Sequence, residues 1–357
     1  MYFKKVEIQN YRSIQDMQIH LNPGVNLLIG DNGVGKTAVL EALTVALGGF
    51  LSGIPGVSTK GILQTDIRIE SSPLSNASMG IQYKVPVSVG CVMDIDGDEY
   101  VWSRIRGSES GDSRTKITDR RIARYSRDIT NDLSSRLPLL SYMGTVRVSQ
   151  TKRQDFGSNL KKKLNDRRCG YIGCLDSALD IKAINAWCLK MEMAAFQQEN
   201  RVAEYEAFKK MVASFMMKMS ENSYLPEIKY ARQFEDIVYV ENQSMLPVSY
   251  LSAGYQSLLW IAMDIAYRMA ILNPGIQNFE DLTGIVLIDE LDMHLHPKWQ
   301  WNVLSVLEEL FPHLQFIIAT HSPILISSCK NENLIHIDSE QNISYPDSAY
   351  AYSIEDV

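Results

Sequence analysis

The run Gly30-Asp31-Asn32-Gly33-Val34-Gly35-Lys36-Thr37 fits G-x-x-x-x-G-K-[ST], a spacing that suits a polyphosphate. Its glycines let the backbone curl so that the N–H groups from Gly30 to Ala38, at the start of the following helix, face an anion. Lys36 would reach the β- and γ-phosphates, and the Thr37 hydroxyl would ligate Mg²⁺. Far downstream, the apolar run Gly284 to Ile288 ends in Asp289-Glu290. An aspartate at such a strand end holds Mg²⁺ directly or through water, and the adjacent glutamate polarises an attacking water as general base. Ser252 and Gly254, opening a helix at Leu251-Ser252-Ala253-Gly254-Tyr255-Gln256, would bind an anion or simply cap the helix. His321, in Ala319-Thr320-His321-Ser322-Pro323, would hydrogen-bond a γ-phosphate or the water, or serve the fold alone.

Positioning these groups requires strands that end together. Val25 to Ile29 reads as a buried strand and Ala38 to Leu47 as an apolar helix, the strand–loop–helix context the phosphate loop demands. Before it, Tyr2 to Gln9 and Asp16 to Leu21 alternate as strands. Tyr83 to Arg106 is predicted as a hairpin turning at Asp96-Gly97-Asp98. A charged helix follows from Arg120 to Leu137, then a short strand from Leu139 to Met143. From Leu175 to about Asn222 the pattern is helical, with an apolar and methionine stripe running from Val202 to Met219. That stripe is either packed core or an adaptable partner surface.

Strands return near Glu227 to Glu241, and alternation resumes with a helix at Tyr255 to Leu272 and the strand at Gly284 to Asp289. A helix at Pro297 to Leu310 and strands at Gln315 to Thr320 and Leu334 to Asp338 complete it. This alternation predicts an α/β fold with a helix-covered parallel sheet. We divide the chain into an N-terminal lobe (1–170), a helical insertion (171–224) and a C-terminal lobe (225–357).

The 357 residues are 45% hydrophobic and 22% charged, ordinary for a globular protein with a large core. No apolar run is long enough to span a membrane, and Met1 to Glu7 lacks the shape of a signal peptide, so a cytoplasmic location is expected. Five cysteines without paired C-x-x-C spacing read as free thiols. The net charge of −7 is unevenly spread: Arg104 to Arg168 holds 17 Lys/Arg against 7 Asp/Glu. Lys161, Lys162, Lys163, Arg167 and Arg168 are therefore candidate nucleic-acid contacts, with a solvated, salt-bridged face as the alternative.

The order and combination of these motifs resemble the ABC-type ATPases of the SMC/RecF/OLD lineage. Leu251 to Gln256 resembles their signature motif, with Ala253 where a second glycine is usual and Tyr255 inserted. Leu287 to Glu290 resembles the Walker B strand and Leu291-Asp292 the D-loop. Met293 to Pro297 and Ala319 to Pro323 match the OLD-like branch, which makes His294 and His296 part of a family motif rather than a metal pair. Ile8 to Ile14 resembles the family's opening segment. The resemblance covers roughly residues 1–70 and 245–345, and little of the middle.

It implies an ABC ATPase head: a phosphate-loop core sheet, an N-terminal antiparallel β subdomain and an inserted helical segment. ATP and Mg²⁺ are the implied cofactors, with Arg12 near the nucleotide and Gln150 as a further magnesium ligand. Lys36, Glu290 and His321 would carry hydrolysis. Ser252, Gly254 and Gln256 would face the phosphate loop of a second subunit, in a homodimer or higher oligomer closed around ATP.

Without clustered acidic ligands after the last strand, a nuclease centre in this chain is not expected, and the natural chain is expected to continue past Val357. The chain most resembles the stand-alone PtuA-like ATPases of Septu and retron anti-phage systems. These act with a separate HNH nuclease and, in some systems, a reverse transcriptase with its RNA–DNA hybrid. A RecF- or SMC-like DNA-repair clamp binding DNA or RNA is the alternative. A transporter's nucleotide-binding subunit is disfavoured by the 216 residues between Lys36 and Ser252.

Overall fold

A computed structural model describes residues 1–75, 78–145, 166–198, 202–220, 224–241 and 244–346. The chain begins with β1 (Tyr2–Tyr11), β2 (Ile14–His20), β3 (Val25–Ile29) and α1 (Lys36–Leu51). Then come β4 (Ile69–Ser75), β5 (Ser78–Tyr83), β6 (Val87–Ile95), β7 (Asp98–Arg106), β8 (Lys116–Ile117), α2 (Arg121–Asn131) and β9 (Leu139–Met143). Two helices, α3 (Ile181–Gln198) and α4 (Ala203–Ser220), lead to β10 (Glu227–Ala231), β11 (Asp236–Glu241) and β12 (Ser244–Pro247). The last part comprises α5 (Ala253–Leu272), β13 (Gly284–Ile288), α6 (Pro297–Leu310), β14 (Leu314–Ala319), α7 (Pro323–Ser328), β15 (Leu334–Ile337) and β16 (Ile343–Ser344).

Among the described residues the central sheet runs β16-β15-β3-β14-β13-β9, parallel except for β16. Strands buried on both faces must be apolar throughout, as Val25–Ile29 and Gly284–Ile288 are. Their side chains alternate between two cores: Leu27, Ile29, Val286 and Ile288 pack on the side of α4 and α5, Leu28 and Leu287 on the side of α1.

Fourteen of the 16 residues of α1 are buried, because a second sheet covers it from outside. That sheet is antiparallel, in the order β2-β1-β6-β7-β8. Contact is tight enough that a Cβ on Gly49 would stand 2.4 Å from Trp102 Nε1, which donates to Ala46 O at 3.0 Å. The parallel core and the antiparallel outer sheet agree with the head-like fold that the motifs imply.

The methionine stripe is core. Phe208, Val212, Phe215, Met216 and Met219 are buried with residues of α5 and β13, so α4 is built into the body instead of projecting from it. The charged helix expected to reach Leu137 ends at Asn131. Asp132 stops it: its carboxylate takes hydrogen bonds from Ser134 N, Ser134 Oγ and Ser135 Oγ, which compete with further helical turns. Among the described residues no helix is long and apolar enough to cross a membrane.

Candidate active site

Three neighbouring strands, β3, β14 and β13, end in the residues that could do chemistry. After β3 the chain enters the phosphate loop with positive φ at Gly30 (139°), Gly33 (88°) and Gly35 (115°). A Cβ at Gly30 would lie 2.2 Å from Ile337 O, so β15 also requires glycine there. Lys36 is buried (5% exposed), and its Nζ donates to Gly30 O at 2.6 Å and Asp31 O at 2.9 Å. Asn32 is exposed at the loop tip, while Val34 and Ala38 are buried beneath it. Burial lowers the Lys36 pKa to about 8, against the attraction of Glu290 and Asp289.

Asp289 follows β13 directly and is buried, its N–H donating to Met143 O at 2.8 Å. Its Oδ2 accepts the Thr37 hydroxyl at 2.9 Å, which joins the two residues expected to hold Mg²⁺. These are hard oxygen donors, as Mg²⁺ prefers. Among the described residues no group of three or more His, Cys, Asp or Glu side chains could hold a metal ion. Bound at Thr37 and Asp289, Mg²⁺ would neutralise charge on the phosphates.

Glu290, held at φ 51°, faces His321: Oε1 lies 3.9 Å from Nε2. The other ring nitrogen, Nδ1, is 3.4 Å from Lys36 Nζ. Burial first, and then the Lys36 charge, hold the imidazole below its ordinary pKa, so it is neutral at pH 7. With Nδ1 turned toward an ammonium, the proton belongs on Nε2, toward Glu290. Lys36, Thr37, Asp289, Glu290 and His321 thus form one constellation.

The signature-like residues make contacts of their own. Ser252 is the N-cap of α5 and makes no side-chain capping bond. Gln256 Nε2 donates to Ser249 O at 3.0 Å and Leu251 O at 2.8 Å. A Cβ at Gly254 would stand 2.7 Å from His294 O and 3.1 Å from the Trp299 ring, so α5 rests on the segment after Glu290. His296 caps α6, its Nδ1 accepting from Lys298 N at 3.3 Å.

Arg12 is committed to its own surroundings: Nε donates to Asp66 Oδ1 at 3.0 Å and the guanidinium pairs with Glu41 on α1. The basic segment is partly interior. Arg104 and Arg106 are buried against backbone carbonyls, among them Gly48 O and Ile62 O. Arg167, a candidate nucleic-acid contact, is also buried; it donates to Ser135 O, Ile129 O, Thr130 O and Asp132 O, an inward placement that removes it from the basic surface. Arg168 pairs with Asp166. Gln150 and Lys161 to Lys163 lie outside the described residues.

Residues that the motifs did not single out support the site. Thr320 Oγ1 donates to Asp292 Oδ1, and Gln300 on α6 bonds to Ser322 beside His321. Gln341 Nε2 ties Ser13 O (3.2 Å) to Val34 O (3.3 Å) of the phosphate loop. No local pattern marks these residues, because each partner is distant in sequence.

The described architecture is similar to solved SMC heads. The SMC head bound to the C-terminal winged-helix domain of ScpA matches 99% of this chain and 100% of that one, at TM-score 0.59 and 17% identity. The SMC head domain from Thermotoga maritima matches 94% of each chain, at TM-score 0.50 and 16% identity. In sequence, "Retron Vc95 probable ATPase" from Vibrio cholerae is 24% identical over 93% of this chain and 72% of its own length. "Septu protein PtuA" from Bacillus thuringiensis is 23% identical over 96% of this chain and 77% of its own length. The family described as "AAA domain" matches residues 5–233, and "AAA ATPase domain" matches residues 148–326. With matches of this extent on a site of this geometry, the chain belongs to the AAA ATPase domain family, is an ATP hydrolase, and lies on its SMC/RecF/OLD branch among the PtuA-like members.

Proposed function

We propose that two copies of this chain close head to tail around two Mg-ATP, and that this ATP-driven association controls a partner nuclease in anti-phage defence. The observation that supports the composite site is that its two halves make different contacts. Lys36, Thr37, Asp289, Glu290 and His321 gather about one phosphate position, while Gln256 and Gly254 make their contacts with Ser249, Leu251, His294 and Trp299 instead. Ser252, at the N-terminal end of α5 with no capping bond from its hydroxyl, is a donor suited to the γ-phosphate held by a second copy.

In this reading Lys36 neutralises and orients the phosphates, and Thr37 with Asp289 would hold Mg²⁺. Glu290 takes the proton of the attacking water, and neutral His321 donates from Nε2 to the transferring group or the water. Before association each γ-phosphate lacks the donors of the partner's Ser252 region, so hydrolysis is slow in isolated chains and association is ATP's main effect.

The defence role is supported by the names of the retron and Septu relatives. It implies an HNH nuclease as partner, and in a retron setting a reverse transcriptase with its RNA–DNA hybrid. Co-expression of the full chain with an HNH nuclease, should a neighbouring reading frame encode one, tests this. An ATP-dependent complex whose nuclease activity changes with Glu290→Gln supports the reading. Absence of a complex, with hydrolysis stimulated by DNA alone, would favour a DNA-repair clamp.

A further inference from the structure

The amide of Gln300 joins the segment after Glu290 to the segment that carries His321. Its Nε2 donates to Leu295 O at 2.9 Å and to Asp292 O at 3.4 Å, and its Oε1 accepts the Ser322 hydroxyl at 2.6 Å. Ser322 is 7% exposed and adjoins His321. On the other side of His321, Thr320 is 1% exposed, donates to Asp292 Oδ1, and accepts from Ser322 N at 3.0 Å. Both neighbours of the imidazole are therefore tied by side chains to the 292–295 segment.

That segment also carries the start of α5. Gly254 lies against His294 O, and Tyr255 packs edge-on to Trp299 with ring centroids 4.9 Å apart. A continuous series of contacts thus runs from Ser252–Gly254 through His294 and Leu295 to Gln300, Ser322 and His321, which faces Lys36 at 3.4 Å. Within it Gln300 is the link that must both donate and accept. Leucine supplies neither function, and glutamate sets a carboxylate against two carbonyl oxygens.

We propose that Gln300 is a positioning residue that fixes His321 against the 292–295 segment, so that a partner docking on the Ser252 end of α5 is registered at the imidazole. This inference rests on the composite-site reading above. Its consequence is a loss in kcat, not in nucleotide affinity, because Gln300 makes none of the contacts that hold Lys36 or Thr37.

The test is a double-mutant cycle with Gln300→Leu and His321→Ala in the full chain, measuring ATP affinity, kcat and KM over a range of protein concentrations. Gln300→Leu is expected to leave ATP affinity within about twofold and to lower kcat about tenfold or more, as a displaced catalytic group does. In the His321→Ala background it should add less than about twofold, since the effect passes through the imidazole. Fully additive losses, or a loss of ATP affinity as large as that of kcat, would overturn the proposal. Should Gln300→Leu not fold, Gln300→Glu must show the same non-additivity, because it retains the acceptor for Ser322 but cannot donate to Asp292 and Leu295. Turnover per chain that is independent of protein concentration, in an unmutated protein that sediments as a monomer with ATP, would overturn the composite-site reading and this inference with it. Concentration-dependent turnover with an unaffected Gln300→Leu overturns the inference alone.

Discussion

The Thr37 hydroxyl donates to Asp289 Oδ2 at 2.9 Å across 252 residues of sequence, joining the phosphate-loop helix to the end of β13. That bond sets the two oxygens expected to bind Mg²⁺ side by side. Thr37→Val and Asp289→Asn should therefore each raise the Mg²⁺ concentration needed for half-maximal turnover while leaving Mg-free nucleotide binding within a few-fold. Titrating Mg²⁺ at fixed ATP checks this. An unchanged requirement in both variants would remove the pair from the metal's coordination.

Lys36 carries a pH signature. Burial lowers its pKa to about 8, and bound phosphates raise it, so ATP binding above that pH takes up a proton. Affinity should be flat from pH 6.5 to 7.5 and weaken toward tenfold per pH unit well above about 8. Lys36→Ala should lose at least about tenfold in affinity, as the loss of a charged hydrogen bond dictates, and abolish that slope. Calorimetry across pH reads both effects.

Glu290→Gln should bind ATP normally and turn over about 10²–10⁴-fold more slowly, the usual range for losing a general base. Unmutated turnover in this variant would assign the base elsewhere.

His321 has its pKa held below the ordinary value, so the neutral ring is the form present at pH 7. Turnover should stay level as pH falls to about 6.5, the unperturbed histidine value, and decline only below it, as the ring gains a second proton and repels Lys36. A decline centred above pH 7 would contradict the neutral ring assigned here.

Arg167 tests the revised view of the basic segment. Its guanidinium caps four carbonyls in the 129–135 region, so Arg167→Ala should destabilise the fold by at least about 2 kcal/mol and leave any nucleic-acid affinity and its salt dependence unchanged. Thermal unfolding and a salt titration separate the two roles. Loss of nucleic-acid affinity without loss of stability would restore Arg167 as a phosphate contact.

Much of the site was legible because its chemistry is local in sequence. The phosphate loop, the acid pair ending β13 and His321 after β14 each announce themselves within a few residues of an apolar strand. The bounds of α6 and of strands β3, β13, β14 and β15 were readable for the same reason. What escaped has nonlocal causes. Local charge counting could not tell that Arg104, Arg106 and Arg167 turn inward to carbonyls, since a buried guanidinium and a surface one have the same composition. Asp132 ended α2 early through side-chain bonds to its own following serines, against a helical charge pattern. Gln300 and Gln341 gain their meaning only from segments brought to them by the fold.

In the proposed dimer each catalytic site is shared between two chains, and a mixing assay probes that sharing. Lys36→Ala disables the phosphate loop and Ser252→Arg disables the facing helix end, so each variant alone should hydrolyse ATP at background rate. Mixed in equal amounts, they should regain a substantial fraction of unmutated turnover, because a mixed dimer contains one site with both halves intact. A mixture as inactive as its separate components, under conditions where the unmutated chain turns over, would contradict the account.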